Sequence, residues 1–191
     1  MGIFVQNGSL GLITGITNIE SEFLHASPAE LSLLVSRMER LRQHVGAEQK
    51  TFAGILPGVL QSRGLLAETP ETETTVTMVS RAAQLVLEQE GYSSDTPIVL
   101  LGAKGHVGRH LAARWNGRSL FPIDVDSSPE AWPHHLHGQP MLVVNVTKKS
   151  AVAQYIPLFW PGCVLLNETY PEPTADELAQ IKAIGATALL S

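Results

Sequence analysis

Residues 97–126 read PIVLLGAKGHVGRHLAARWNGRSLFPIDVD, and this stretch decides the fold. Ile98 to Leu101 form an unbroken run of β-branched residues and leucine, the pattern of a strand buried on both faces of a parallel sheet. Gly102, Gly105 and Gly108 follow at once. Glycine in those places lets the chain turn sharply, brings backbone N–H groups against a pyrophosphate, and lets the next helix pack closely on the strand. From Gly108 the segment RHLAARW can continue as a helix with Gly117 as its stop, so an anion would sit at a helix N-terminus, favoured by orphan N–H groups and the dipole.

Ser119 to Ile123 supply a second strand, and Asp124 and Asp126 stand at its end, 19 and 21 positions beyond Gly105. That is about where a dinucleotide motif places the acid that holds the ribose. An acid there accepts a hydrogen bond from the 2′-hydroxyl and repels a 2′-phosphate, which argues for NAD over NADP. The glycines are spaced G-x-x-G-x-x-G rather than G-x-G-x-x-G, so the strand, helix, strand and acid around them carry much of the inference. A glycine-rich turn in some other α/β fold is the alternative.

Outward from this unit, the coarse pattern after residue 97 is β-α-β followed by β-α-β-α-β. Met141 to Val146 reads as a strand, a short helix starts near Ser150, and Cys163 to Leu166 reads as another strand. Thr174 and Glu177 make a capping box that opens a helix closed by Gly185, and Ala186 to Leu190 is the last strand. The expected fold class is α/β, a doubly wound parallel Rossmann sheet in order 3-2-1-4-5-6 over residues 96–191, with its ligand crevice at the strand C-termini.

A small α/β domain over residues 1–95 is expected to precede it, on the substrate or partner side. Residues 1–26 hold two apolar stretches broken by Asn7-Gly8-Ser9, compatible with a hairpin. Ser27, Pro28 and Glu30 mark a helix start, and Leu31, Leu34, Val35, Met38, Leu41 and Val45 share one face of a helix that Gly46 ends. Residues 50–60 read as strand or loop ending at Pro57-Gly58, followed by a short helical piece. The run ETPETETT (68–75) reads as a loop into a helix from about Thr74 to Glu90.

Composition narrows the function. With 191 residues and 44 % hydrophobic, the chain can bury a proper core, and no apolar run approaches the roughly 18 residues of a membrane helix. The start lacks a signal-peptide pattern, so a cytoplasmic location with no membrane partner is expected. The net charge of −5 belongs entirely to residues 1–95, with 11 acids against 6 bases; an acidic half without a basic aromatic stripe argues against nucleic acid. Cys163 is the only cysteine and lies in an apolar run, as a small buried hydrophobe would. His134, His135 and His137 could form a ligand set, but they sit among prolines without a partner acid, so an exposed loop and no metal site are expected.

A fingerprint that begins at residue 102, behind a long helix with Thr74, Thr75 and Thr77 at its start, resembles the superfamily with an amino-acid-dehydrogenase-like N-terminal domain. Shikimate dehydrogenases and methylenetetrahydrofolate dehydrogenases belong to it. In the runs GAKGHVG and CVLLNETYPEP the second half is also similar to the cofactor domain of long-chain acyl-carrier-protein reductases. The resemblance implies an NAD(H)-dependent oxidoreductase acting on a carbonyl or imine of a small polar metabolite. A non-catalytic nucleotide-binding subunit or sensor is the alternative.

Hydride transfer of that kind needs a proton donor within hydrogen-bond reach, and Lys50 and Tyr170 are the candidates. Gly102, Gly105, His106, Val107, Gly108, Asp124, Asp126, Asn145 and Thr147 are expected around the cofactor, with Lys148, Glu168 and Thr169 near the nicotinamide end. The exposed edge of the last strand predicts a homodimer or larger assembly that buries residues 174–191 or helix 27–45.

Overall fold

The computed structural model describes residues 2–6, 8–66, 70–124, 126–127, 129–147, 151–169 and 172–190. The chain divides into two compact units, Met1–Glu71 and Thr72–Ser191.

The first unit opens with an antiparallel hairpin of β1 (Gly2–Gln6) and β2 (Ser9–Ile13), in register from Gly2 opposite Ile13 to Gln6 opposite Ser9. Helix α1 (Glu20–His25) follows, then α2 (Pro28–His44) and α3 (Leu56–Ser62). The capping box that opens α2 is formed: Glu30 N donates to Ser27 Oγ at 3.3 Å, and Ser27 N donates to the Glu30 carboxylate at 2.8 Å. Leu31 on α2 meets Leu56, Val59 and Leu60 on α3 in a small core with Phe52. Pro57 and Gly58 lie inside α3 rather than ending a strand, because proline in a first helical turn gives up an N–H that has no partner there anyway.

Helix α4 (Pro70–Gln89) falls in the second unit from Thr72 onward. This helix starts earlier than expected, since the threonine- and glutamate-rich run forms its first turns. Its stripe Val76, Val79, Ala83, Val86 and Leu87 packs on the sheet. The division at residue 95 therefore moves: the long helix assigned to the first domain belongs with the second.

After it come β3 (Ile98–Leu101), α5 (His106–Arg114), β4 (Leu120–Ile123), β5 (Met141–Asn145), β6 (Cys163–Asn167), α6 (Ala175–Ile184) and β7 (Thr187–Leu190). All neighbouring pairs in the sheet are parallel, in order β4-β3-β5-β6-β7. Numbered from β3, that order is 2-1-3-4-5, a doubly wound Rossmann-like sheet of five strands.

The expected six-stranded order is thus corrected. Between β4 and β5 the described chain makes only short 3₁₀ turns at Pro129–Ala131 and His134–Leu136, so no described strand pairs outside β4. Pro122 is tolerated in an edge strand, where a missing N–H breaks no ladder. The short helix expected near Ser150 is likewise two 3₁₀ turns, Ala151–Gln154 and Ile156–Leu158.

The central strands alternate between two cores. Ile98, Leu100, Leu142, Val144, Val164 and Leu166 face α4 and α5, with Leu111 and Trp115. Val99, Leu101, Val143 and Leu165 face the opposite layer, where Trp132 stacks near Tyr155 and Phe159 and meets Trp160 edge-on. Every residue of β3, β5 and β6 is buried, and their parallel register ends the three strands together at Leu101, Asn145 and Asn167, forming one rim.

Candidate functional site: the glycine turn and the rim of the sheet

Strand β3 is next to β4 on one side and β5 on the other, so the chain leaves the sheet in opposite directions at its C-terminal end. That reversal is the switch point where an open α/β sheet forms its crevice. The turn Gly102–Gly105 stands there. Gly102 has φ +87°, and a Cβ on it would lie 3.0 Å from the backbone of Val146 and Thr147. A side chain at Gly108 would place its Cβ 2.0 Å from the Gly102 carbonyl oxygen. The two glycines are what allow α5 to start against the turn, and the turn against the chain leaving β5.

Gly105 differs from both. Its φ of −64° suits any residue, it precedes the first residue of α5, and its Cβ would meet only the Gly102 oxygen, at 3.1 Å. The N–H groups of the first turn, among them those of Val107 and Gly108, lie at the helix end where intrahelical partners run out.

His106 opens α5, and its ring turns away along the helix. Arg109 Nη2 donates to His106 Nδ1 at 3.1 Å, and a guanidinium has no acceptor, so the ring proton is on Nε2. That N–H donates to Thr72 Oγ1 on α4 at 2.7 Å. The ring is therefore committed to protein partners, and the backbone is what His106 offers to the turn.

The two acids at the end of β4 both answer to Lys104, inside the turn. Lys104 N donates to Asp124 Oδ2 at 2.8 Å, and Lys104 Nζ reaches both carboxylate oxygens of Asp126 at 2.7 and 2.6 Å. The ion pair holds the Asp126 carboxyl below its ordinary range and the Lys104 ammonium above its own, and both side chains are well exposed. Tyr155 Oη donates to the Asp124 carbonyl at 3.3 Å; burial pushes its own ionisation upward.

Along the rim, β5 and β6 end on asparagines that face one another in register, Asn145 and Asn167, 1 % and 0 % exposed. Asn145 Nδ2 donates to Asn167 Oδ1 at 2.7 Å and to Thr169 Oγ1 at 3.2 Å; Asn145 Oδ1 accepts from Thr147 N at 3.2 Å and Thr147 Oγ1 at 2.6 Å. Asn167 Nδ2 donates to the Thr169 carbonyl at 2.8 Å and to Glu172 at 2.7 Å, while its Oδ1 also accepts from Thr169 Oγ1 at 3.2 Å. Both amides thus have their donors and acceptors filled. They fix the loops after β5 and β6, and Thr147, beside Gly102, is held by Asn145 rather than by chance.

Of the residues expected around a cofactor, the structure brings Gly102, Gly105, His106, Val107, Gly108, Asp124, Asp126, Asn145 and Thr147 to this one end of the sheet. Lys104, Asn167 and Glu172 are additional. A sequence signal existed for one of them, since MLVVN and CVLLN both close on asparagine.

The proton-donor candidates fare differently. Tyr170 lies outside the described residues, as does Lys148, expected near the nicotinamide end. Lys50 belongs to the first unit, where its ammonium pairs with Glu39, which also takes a bidentate contact from Arg42. Those two partners draw the Glu39 carboxyl down to about 2. Cys163 is buried, and burial pushes its thiol up to about 11, which suits packing rather than nucleophilic chemistry. Among the described residues no group of three or more histidines, cysteines or acids gathers as a metal site; His135 lies against Phe121 and His137 against Trp160. No described helix is long and apolar enough to cross a membrane.

The fold and the turn define a Rossmann-like α/β unit. No family model matches the chain, and no curated protein matches it. Among solved structures it is similar to the quinone oxidoreductase from Thermus thermophilus, described alone and in complex with NADPH, with 18 % identity and a TM-score of 0.38. The match covers 64 % of this chain and 44 % of that one, so the chain spans less than half of that neighbour's length.

Proposed function

We propose that the second unit binds a nicotinamide dinucleotide, NAD(H), and that the chain serves as an oxidoreductase acting on a carbonyl or imine of a small polar metabolite. The observation that carries this reading is the packing at the switch point. Gly102 and Gly108 are required by backbone approach, and they bring the N-terminus of α5 and the acid at the end of β4 to one place. A pyrophosphate on the α5 amides and a ribose on Asp124 would follow from that placement, with the nicotinamide directed along the rim toward Thr147 and Thr169. Bound there, the cofactor supplies the hydride.

The chain's own residues bind and orient it. Lys50 is engaged with Glu39 in the other unit, and the reading rests on cofactor binding rather than on an assigned acid. A nucleotide-binding subunit without turnover would share the same site, and consumption of NADH with a carbonyl substrate separates the two. Binding itself is tested with Asp124→Ala. Loss of the ribose acceptor should weaken NADH by about tenfold, the size of one charge-assisted hydrogen bond at the low end of roughly 1.5–3 kcal/mol. Equal NADH affinity in the variant and the parent, by fluorescence titration, would remove Asp124 from the site.

A further inference from the structure

We infer that Lys104 is a subsite for the 2′-phosphate of NADP(H), masked in the resting protein by Asp126, and that this ion pair sets the choice of dinucleotide. The inference rests on the cofactor reading above. From the sequence, two acids at the end of β4 both count against a 2′-phosphate. The structure divides their roles.

Asp124 receives the backbone N–H of Lys104 at 2.8 Å, which ties the turn to the residue that would hold the ribose. The ammonium of the same lysine reaches past Asp124 to Asp126, at 2.7 and 2.6 Å. A unit positive charge therefore stands beside the ribose position, already paired. Lys104 and Asp126 are 68 % and 63 % exposed, and an ion pair so open to water is weak and readily exchanged. A phosphate dianion brings a second negative charge and more acceptor oxygens to the same ammonium, so it competes directly with Asp126 for it. With Asp126 ionised, the phosphate gains Lys104 but meets the displaced carboxylate, and NADH keeps the advantage. With Asp126 neutral, the lysine is free to take the phosphate.

The test measures dissociation constants of NADH and NADPH for the intact chain, for Asp126→Asn, and for the double variant Lys104→Ala/Asp126→Asn. Asn is nearly isosteric and removes the charge, and the double variant keeps its amide donor, so that a gain made by the amide rather than by Lys104 would survive there. NADPH should bind Asp126→Asn roughly tenfold tighter than the parent while NADH changes by less than about threefold, a difference that a single exposed charge can supply. The double variant should lose that gain, and the gain should shrink as salt rises from about 0.05 to 0.5 M because exposed charges are screened. An unchanged NADPH to NADH ratio in Asp126→Asn overturns the inference. So does a gain that survives in the double variant, since repulsion by Asp126 alone would then explain it. If the parent binds NADH and only these ratios fail, the cofactor reading stands; if it binds neither dinucleotide, both fall.

Discussion

At the scale of single residues, the three glycines of the turn have separate physical reasons, and substitution can tell them apart. Gly108 is a packing glycine. An alanine methyl there would lie 2.0 Å from a backbone oxygen, so helix and turn must part, at a cost of about 1–3 kcal/mol as for an overpacked core. Gly105 has ordinary backbone angles and one tight contact, at 3.1 Å from the Gly102 oxygen, so a larger residue there needs a shift of a few tenths of an ångström, far less than at Gly108, and fills space in front of the helix end. Gly105→Val should leave the urea midpoint close to that of the parent and abolish NADH binding, whereas Gly108→Ala should lower both. A Gly105→Val chain that still binds NADH with the parent's affinity would place the pyrophosphate elsewhere.

Elements act through their ends. The asparagines that close β5 and β6 are saturated by one bond to each other and by bonds to Thr147, Thr169 and Glu172, and Asn145→Ala would take the acceptor from the buried Thr147 hydroxyl and amide while Asn167 Oδ1 keeps Thr169. Unsatisfied buried groups cost about 1–3 kcal/mol each, so a loss of at least about 1 kcal/mol is expected in chemical denaturation. A loss below about 0.5 kcal/mol would mean that the network is not closed in solution.

In the first unit, Glu39 on α2 carries a second prediction. Its carboxyl lies at about 2 in the folded chain against an ordinary 4.5, held down by hydrogen bonds from Arg42 and then Lys50. The folded value is the lower one, so the stabilisation is complete above about pH 4.5 and fades as pH falls toward 2. Glu39→Gln should flatten the acid limb of the first unit's stability in that window. An identical acid limb in parent and variant, followed by circular dichroism, would show that the pair is not formed.

At the scale of the whole molecule, the sheet was legible because its signals are local. The apolar runs of β3, β5 and β6 and the glycines after β3 needed no knowledge of distant partners. The capping box at Thr174–Glu177 was legible for the same reason. What escaped depends on contacts far apart in the chain. Lys104 and Asp126 are 22 positions apart, Thr72 and His106 are 34, and no periodicity reports either pair. No described strand pairs outside β4, and residues 127–140, rich in proline and histidine, read as a turn-rich loop; the six-stranded order followed the general doubly wound pattern rather than any signal in that segment.

Self-association is a further expectation at this scale. Residues 1–19 contain no charged side chain, and Ile3, Val5 and Leu10 are each more than 70 % exposed on an unprotected hairpin, while β7 stands at an open edge of the described sheet. Uncharged edges and exposed apolar residues favour pairing with another chain. Light scattering at tens of micromolar, well above a roughly micromolar dissociation constant, should report a dimer or larger species, and a monomer would contradict it.

The most direct test of the central claim is amide hydrogen exchange of the intact chain with and without saturating NADH. Protection is expected in the peptide spanning Gly102–Gly108 and at the end of β4 around Asp124, with little change in the first unit's α3. Unchanged exchange at 102–108 under millimolar NADH, or protection confined to other segments, would contradict a dinucleotide site at the glycine turn.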